Sequence, residues 1–424
     1  MVMFNEFKKK LGGTADPDDY IVALDIGTEY TKALIARVDS DGGLEVVGVG
    51  RARQEIGNMY SGAIADITGV VRNCEDALVK AEDMAGLQAK RVVIGIAGEF
   101  VKGLTSTIRY RRPNPKKELD APEMELIIQK VQERSAEKAR AQIAAETGNP
   151  DVEVKLVNSA IVNLRIDGYK VTNPLGFQGK DVAIQIYTAF APMVHIGALE
   201  RVASELDLEL LAVAAEPFAV ARAVLGSDAS SNYTAILIDV GGGSTDIAVV
   251  NDGGVEGTRM FGVGGRSFTK TIAGDLGLDY DSAEQLKLRI DDPKVKPTAK
   301  KALYESVEKT LDVWEQGVEL ALDDFDAVDH LPSRVLLCGG GSSLDALVER
   351  LALGDWYKDL PFTKRPTVQH ISPDDVLGIV DTTETIEDHT MITAMGLLRV
   401  GYDTLIGGDE SDTVKEKINR ILRI

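Results

Sequence analysis

Two short glycine-rich segments, 214 residues apart, contain the residue types needed to bind a phosphate group and a metal ion. In each segment an apolar, strand-like run ends at an aspartate, Asp25 or Asp239, and glycines and hydroxyl residues follow before a second apolar run. Backbone N–H groups of glycine-rich turns can approach phosphate oxygens and form an anion-binding site. An aspartate would repel phosphate, so its natural partner is Mg²⁺, often held through water. One such turn alone indicates only a β-turn, whereas two at matching positions predict a clamp for a magnesium-bound nucleotide.

A second pair of segments recurs at a different offset of 243 residues, because Arg91–Gly98 matches Arg334–Gly341. Each is a buried strand pattern that runs into one or more glycines. Two different offsets require insertions at different places in the two copies. The sequence therefore predicts a duplicated α/β domain that carries inserted modules, with the nucleotide in the cleft between the copies.

Composition excludes several classes of protein. The 424 residues include 47 Lys and Arg against 67 Asp and Glu, which gives a net charge of −20 and argues against general nucleic-acid binding. A hydrophobic content of 44% excludes wholesale disorder. Two cysteines rule out a disulfide framework, and the four histidines lack metal-ligand spacing, so we expect them to be structural or on the surface. The sequence contains neither an apolar run long enough to span a membrane nor a signal-peptide pattern at its start.

The pattern of apolar residues predicts the elements that position the two turns. A helix is expected from about Asp66 to Ala85, followed by Gly86. The last folded helix is expected near Met391–Arg399. Gly401–Ser411 is then typical of a linker.

Between about 101 and 181 the sequence changes character and predicts a small inserted α+β module. Asp120 and Glu123 form a plausible capping box at the start of its helix. Two strand-like runs follow, Glu153–Asn158 and Ala160–Ile166. The module begins with a basic loop, which is either simply solvated or a contact with an acidic partner or a neighbouring subunit; its residues are Arg109, Arg111, Arg112, Lys116 and Lys117.

The two turns and the glycine run resemble motifs of the actin–DnaK–sugar-kinase ATPase superfamily. This resemblance implies an α/β, actin-like fold, which is a duplicated ribonuclease H-like fold, with ATP or ADP and Mg²⁺ as cofactors. Asp25 and Asp239 would then serve catalysis by holding Mg²⁺ through water. Glu216 falls in a segment similar to the first interdomain connection, where it would orient the attacking water. The alternative for Glu216 is a structural carboxylate at a helix N-terminus.

The same resemblance implies further nucleotide contacts. Glu284 and Lys287 would lie near the ribose, although a surface ion pair on a helix is an equal alternative. The remaining implied contacts are Gly27, Thr28, Lys32, Gly241, Gly242, Gly243, Ser244, Thr245, Asp246, Gly264, Gly265, Gly339, Gly340, Gly341, Ser342 and Ser343.

Several strings resemble the FtsA/PilM branch of this superfamily most closely. They are Gly62–Asp66, Asn173–Gly179 and Ala283–Lys287. The branch carries an inserted SHS2-type module where 101–181 lies here. FtsA resemblance implies an ATP-binding protein with slow hydrolysis that forms filaments on the inner face of the cytoplasmic membrane and tethers the tubulin-like protein FtsZ, together with other division proteins. PilM resemblance implies instead a nucleotide-dependent adaptor of a pilus or secretion platform, and a metabolic kinase is a remote third alternative.

The expected domain organisation follows from these assignments. It comprises a tail at 1–19, a first actin-like domain at 20–100 and 182–227, the inserted module at 101–181, a second actin-like domain at 228–400 with a nucleotide-contacting part at about 265–333, a linker at 401–410 and a helix at 411–424.

A net charge of −20 argues against binding to an anionic membrane surface, but the two ends of the chain point the other way. Val414, Ile418, Ile421 and Leu422 fall on one helical stripe with basic residues around it, which is typical of an interfacial membrane helix. Residues 1–13 are a shorter candidate of the same kind. Such helices bind weakly one at a time, so recruitment to lipid should depend on assembly of many copies. The alternative for the C-terminal helix is packing on its own domain.

Overall fold

The computed structural model describes residues 19–39, 43–225, 232–325 and 328–406. The predicted amphipathic segments at 1–13 and 411–424 lie outside these described residues. Within them, no helix is both long enough and apolar enough to cross a membrane. Cys74 and Cys338 are both buried and free.

Seventeen strands lie in the described ranges and form two large sheets and one hairpin. In chain order they are β1 Tyr20–Ile26, β2 Tyr30–Val38, β3 Leu44–Arg53, β4 Met59–Tyr60, β5 Ala63–Ile64, β6 Arg91–Ile96, β7 Lys102–Arg111, β8 Val154–Ile166, β9 Tyr169–Lys170, β10 Asp181–Pro192, β11 Glu209–Ala215, β12 Ala235–Val240, β13 Thr245–Asn251, β14 Gly254–Phe261, β15 Arg334–Cys338, β16 Thr367–His370 and β17 Ile379–Asp381.

Nine α-helices of the described ranges pack on these sheets. They are α1 Ile67–Ala85, α2 Ala121–Thr147, α3 Met193–Glu205, α4 Glu216–Leu225, α5 Gly265–Leu276, α6 Tyr280–Lys287, α7 Pro297–Asp323, α8 Asp345–Leu353 and α9 Ile392–Leu405. The predicted boundaries of α1 are close, since the side chain of Asp66 caps its first turn and Gly86 ends it in the left-handed conformation.

The two halves of the molecule repeat one topology, which confirms the predicted duplication. The first sheet contains the order β11-β6-β1-β2-β3, with an antiparallel meander of β1, β2 and β3 and parallel pairing of β6 and β11. The second contains β16-β15-β12-β13-β14 with the same directions. Both repeats found in the sequence occupy equivalent strands, because β1 corresponds to β12 and β6 to β15.

The inserted module differs from the expected one in its boundaries. β8 is one continuous strand interrupted by irregular pairing, rather than two runs. β10 continues from the module into the first domain, so no boundary falls at 182. Asp120 caps α2, but the side chain of Glu123 pairs with Arg112 instead of completing a capping box.

The strands of the inserted module, β7, β10, β8 and β9, form what we call the module sheet. This sheet is also joined to the second half of the molecule. β14 pairs with β7 at Gly257 and Leu104, and at Thr258 and Gly103. A Cβ atom at Gly103 would lie 1.8 Å from the Thr258 hydroxyl, so only glycine allows this close approach. The result is a single nine-stranded sheet that runs from β16 to β9.

The end of the described chain returns to the first half, contrary to the expected second domain at 228–400. β17 pairs in parallel with β3, and α9 packs in the first hydrophobic core beside α4. α9 also extends to Leu405, where we expected a linker from 401. Tyr402 and Asp403 are buried in this helix, because it crosses behind β1 rather than leaving the domain.

Candidate nucleotide-binding cleft

A cavity of about 660 Å³ lies between the two halves and is lined by both predicted turns. The turns have the same hydrogen bond at the same position. The N–H of Gly27 donates to the carbonyl of Tyr30 at 3.1 Å, and the N–H of Gly241 donates to the carbonyl of Ser244 at 2.9 Å. Each turn therefore reverses the chain tightly at the edge of the cavity.

The tips of the two turns contact each other. A Cβ atom at Gly243 would lie 2.6 Å from the Thr28 hydroxyl, and one at Gly242 would lie 2.9 Å from the Glu29 Cβ. A side chain at Gly242 or Gly243 would therefore clash with the other half of the molecule, so contact between the halves requires glycine at both positions, whether or not a phosphate also approaches them. Arg266 strengthens the junction through a 2.7 Å ion pair with Glu29.

A third glycine-rich segment, which follows β15, forms another wall of the cavity. Gly339 has a φ of 79°, and a Cβ atom there would lie 2.0 Å from Asp239 Oδ1. Gly340 lines the cavity, and a Cβ atom at this position would meet no protein atom within 4 Å. The segment therefore brings backbone against the cavity with open space beside it, as a bound nucleoside would require.

Four buried carboxylates gather at the floor of the cleft around one lysine. Asp25 and Asp239 end equivalent strands, Asp246 follows on β13, and Glu216 begins α4. Lys32 forms a 2.7 Å ion pair with Asp25 and is itself largely buried. One lysine cannot neutralise four acids, so the cluster carries an excess of negative charge.

This excess is reflected in the pKa values of the cluster. Burial, together with the charges of Asp25 and Asp246, holds the pKa of Glu216 well above its usual range. Burial and the neighbouring Asp239 likewise raise the pKa of Asp246. The pKa of Lys32 is raised, since its interaction with the acids outweighs its own burial. A divalent cation in the cleft would relieve the repulsion.

The cluster fits a magnesium ion that is bound mainly by a phosphate chain and water. In the ranges that the structure describes, no group of three or more His, Cys, Asp or Glu side chains is arranged to hold a metal alone. Mg²⁺ usually takes only one or two carboxylates and completes its shell with water and phosphate oxygens. Asp246 Oδ1 is buried and has no hydrogen-bond partner, so a polar ligand belongs beside it.

Glu284 and Lys287 form a partly buried network rather than an isolated surface ion pair. Their charged groups lie 2.8 Å apart, and Lys287 also donates to the carbonyl of Gly265 at 3.0 Å and to the Thr269 hydroxyl at 2.9 Å. Thr269 in turn donates to Glu284. Because both charged residues line the cavity, the network presents a fixed polar edge to a ligand.

Most of the residues proposed from the sequence line this one cavity, and four do not. Those that line it are Asp25, Gly27, Thr28, Lys32, Glu216, Asp239, Gly241, Gly242, Ser244, Asp246, Gly265, Glu284, Lys287, Gly339, Gly340, Gly341 and Ser343. Thr245 and Ser342 use their hydroxyls inside the protein, on Val263 and Gly339. Gly243 packs on Thr28, and Gly264 packs against the carbonyls of the second turn.

Sequence reasoning missed several polar residues beside the site, among them Arg266, Thr393 and His389. Arg266 lines the cavity, Thr393 on α9 donates to Asp239, and His389 Nε2 lies 3.1 Å from the Ser343 hydroxyl. Burial and His370, which stacks on it, lower the pKa of His389 to about 4, so this imidazole is neutral at pH 7. His389 lies just before the helix predicted near Met391–Arg399 and Thr393 lies within it, and this placement was the only available signal.

Comparison with known proteins agrees with this geometry. The sequence model of the family described as "Cell division protein FtsA" matches residues 236–396. Cell division protein FtsA of Pseudomonas aeruginosa is 27% identical over 353 residues, which are 78% of this chain and 79% of that protein. The protein of the same name from Bacillus subtilis is 27% identical over 276 residues, which are 64% of this chain and 58% of that protein.

Among solved structures, a chain of the "PilM-PilN type IV pilus biogenesis complex" has the same fold. It superimposes with a TM-score of 0.64 at 18% identity and covers 90% of this chain and 98% of that one. Two equivalent sheets that close on a single cleft, with an Asp–Gly turn from each, define an actin-like ATPase fold. In sequence the chain is similar to cell division proteins named FtsA, and in fold it is similar to a chain of the PilM-PilN complex.

Proposed function

We propose that the cleft binds ATP and ADP together with Mg²⁺ and that hydrolysis is slow. The observation that carries this proposal is the pair of equivalent Asp–Gly turns that face one cavity, with excess negative charge at its floor. Backbone N–H groups of the two turns would bind phosphate oxygens, and Lys32 would contribute positive charge. Asp25 and Asp239 would hold the cation through water. Bound Mg²⁺ would supply charge neutralisation for the phosphates.

Glu216 has the environment of a residue that orients water. It begins α4 at the floor of the cleft, and its side chain approaches Gly95, where a Cβ atom would lie 2.8 Å from Glu216 Oε1. The raised pKa of Glu216 favours the protonated form while the cleft holds no cation. A cation bound nearby would favour the carboxylate, which can accept a hydrogen bond from water and later its proton. Thus Glu216 would become competent only when substrate is present.

The cellular role that we propose is in cell division. The relatives named as cell division protein FtsA support a role in division. In this role the protein would assemble into filaments, lie on the inner face of the cytoplasmic membrane and tether a tubulin-like division protein of the FtsZ type, as the resemblance to FtsA implies. Membrane attachment through 411–424 is part of this proposal. The test is sedimentation of the full chain with liposomes and the tubulin-like protein of the same organism, with and without magnesium and ATP.

The expected result is nucleotide-dependent sedimentation of both proteins with lipid. Loss of 411–424 should abolish recovery on lipid while nucleotide binding in solution remains. Recovery of the tubulin-like protein that is independent of this chain would refute the tethering role. Retention of lipid binding after the deletion would refute the anchor alone.

A pilus or secretion adaptor is the second candidate, and the likeness of the fold to a chain of a pilus biogenesis complex favours it. Co-purification separates the two candidates. Recovery of a pilus membrane protein in place of a tubulin homologue would favour the adaptor. The predicted nucleotide chemistry is common to both, so it does not decide between them.

A further inference from the structure

The module sheet has an outer face that carries four basic side chains from three strands. Arg109 on β7, Ala183 on β10, Arg165 on β8 and Lys170 on β9 are cross-strand partners in one row. Directly opposite residues share a face of a sheet, and so do residues two apart on one strand. Arg111, two residues from Arg109, therefore lies on the same face, and the cationic face consists of Arg109, Arg111, Arg165 and Lys170.

The opposite face of the same sheet is apolar and covered. Ile108, Ile184 and Leu164 form the neighbouring row, and they pack in the module core with Met124 and Ile127 of α2. This arrangement fixes which way the basic residues point. The cationic face is consequently held outward by the core behind it.

The cationic face is unpaired within the described part of the chain. All four basic residues are exposed, and none forms an ion pair or side-chain hydrogen bond with a described residue. Of the five residues in the basic segment seen in the sequence, only Arg112 and Lys117 are paired, with Glu123 and Asp120. Asp181, opposite Arg111, is the one acid on this face among the paired positions of the four strands. Such a face stands out on a chain with a net charge of −20.

The dimensions of the cationic face suit an extended chain. Neighbouring strands lie about 4.8 Å apart, so the row from Arg109 to Lys170 spans about 14 Å. Residues two apart on an extended peptide lie about 6.7 Å apart, which is also the spacing of Arg109 and Arg111. A peptide with several carboxylates could therefore contact several of these cations at once.

Two features argue against a lipid surface as the occupant. Peripheral membrane binding usually combines cations with exposed apolar side chains that insert among the lipids. No large apolar side chain is exposed on this face, since Tyr169 is opposite Ile166 and belongs to the other side of the sheet. A half-buried acid, Glu256, hydrogen-bonded to Gln185 on the same face, lies at its inner end. A flat anionic membrane would have to approach that carboxylate.

We propose that the cationic face is a docking surface for an acidic peptide segment of a protein partner. The acidic body of the chain repels such a segment elsewhere, so the charge pattern also orients the encounter. This surface is separate from the nucleotide cleft and does not depend on the function proposed for it.

The experiment measures the affinity of the full-length, nucleotide-free protein for a fluorescent octaglutamate peptide by anisotropy at low salt. Wild type should bind, and binding should weaken as salt is raised. The Arg109→Glu/Arg165→Glu double variant should bind about tenfold more weakly or worse, because two attractions become repulsions. The matched control is Arg134→Glu/Lys138→Glu, which makes the same change of charge on exposed positions of α2.

The control should change affinity by less than about twofold, since its residues lie across the module from the cationic face. Thermal unfolding of each variant checks the fold, and Arg109→Gln/Arg165→Gln replaces the reversal variant if that one unfolds. Absence of octaglutamate binding by wild type, or equal losses in both double variants, would overturn the proposal. It would also be overturned if the reversal reduced binding to phosphatidylglycerol vesicles but left octaglutamate binding unchanged.

Discussion

Replacing Asp246 by asparagine should stabilise the nucleotide-free protein, although Asp246 belongs to the candidate site. This carboxylate is buried, receives one hydrogen bond of 3.3 Å from Ser244 and has an oxygen without a partner. It also shares the floor of the cleft with Asp25, Asp239 and Glu216. An uncharged amide of the same shape keeps the Ser244 hydrogen bond, and because it is neutral at every pH it neither repels the other carboxylates nor has to hold a proton in the folded state.

The size of the effect follows from proton linkage. The pKa of Asp246 lies well above its usual value of 3.8 because of burial and Asp239. Between pH 3.8 and the raised pKa, the folded protein holds a proton that the unfolded chain has released. The free energy of unfolding of wild type therefore falls by up to about 1.4 kcal/mol for each pH unit in this window, and the asparagine variant lacks this loss.

Thermal unfolding of nucleotide-free wild type and Asp246→Asn, from pH 4 to pH 8, measures this difference. The two should melt together near pH 4, and the variant should gain on the order of 2 °C per kcal/mol as the pH rises. Asp151→Asn, at an exposed position, removes the same charge and should show no such trend. A melting difference that is constant with pH, or a variant less stable than wild type at pH 8, would refute the argument that the cluster is destabilised by its own charge.

Three further substitutions test individual residues. Glu216→Gln should lower ATP hydrolysis about a hundredfold or more while nucleotide affinity is kept, because an amide cannot accept the proton of water; unchanged turnover in a phosphate-release assay would contradict this role. Gly340→Ala should weaken nucleotide binding about tenfold in a titration without loss of stability, because the added methyl group meets only the cavity. The control is Gly274→Ala in α5, where the added methyl group also meets nothing within 4 Å. This control should raise the free energy of unfolding by about 0.5–1 kcal/mol and leave nucleotide binding unchanged. Thr245→Val should cost about 1–3 kcal/mol in chemical denaturation, because Trp314 Nε1 loses its 2.9 Å acceptor, yet the affinity of the folded protein should not change.

The parts of the site that could be predicted are those encoded by local sequence. An apolar run, an aspartate and a glycine turn specify a strand and a hairpin within about ten residues, and the repetition of this pattern reveals the duplication. The glycine run after β15 was recognisable for the same reason. Topology then brings Asp25 and Asp239 to one cleft, because equivalent strands of two equivalent sheets end at the cleft.

The parts that could not be predicted depend on contacts between distant segments. Thr393 reaches Asp239 because α9 crosses back to the first half, which no local pattern encodes. Thr245 carries a hydroxyl in a phosphate-binding motif, but its side chain points to Trp314, since alternation along β13 turns it away from the cavity. Residue type and motif thus predicted which segments line the cavity, while the direction of each side chain was decided by the strand that carries it.

The inserted module gives the strongest example of this limit. Chain order assigns it to the first half, because it interrupts the sequence between β6 and β11. Strand pairing joins it to the second half as well, through β7 and β14. The Tyr187 hydroxyl also lies 3.2 Å from that of Thr258 across this junction, while the Tyr187 ring stacks on Phe218 of α4. Any rotation of the two halves about the cleft must therefore either move the module together with β14 or break the pairing of Gly103 with Thr258. The module is thus coupled to the cleft through the sheet, and not through its place in the sequence.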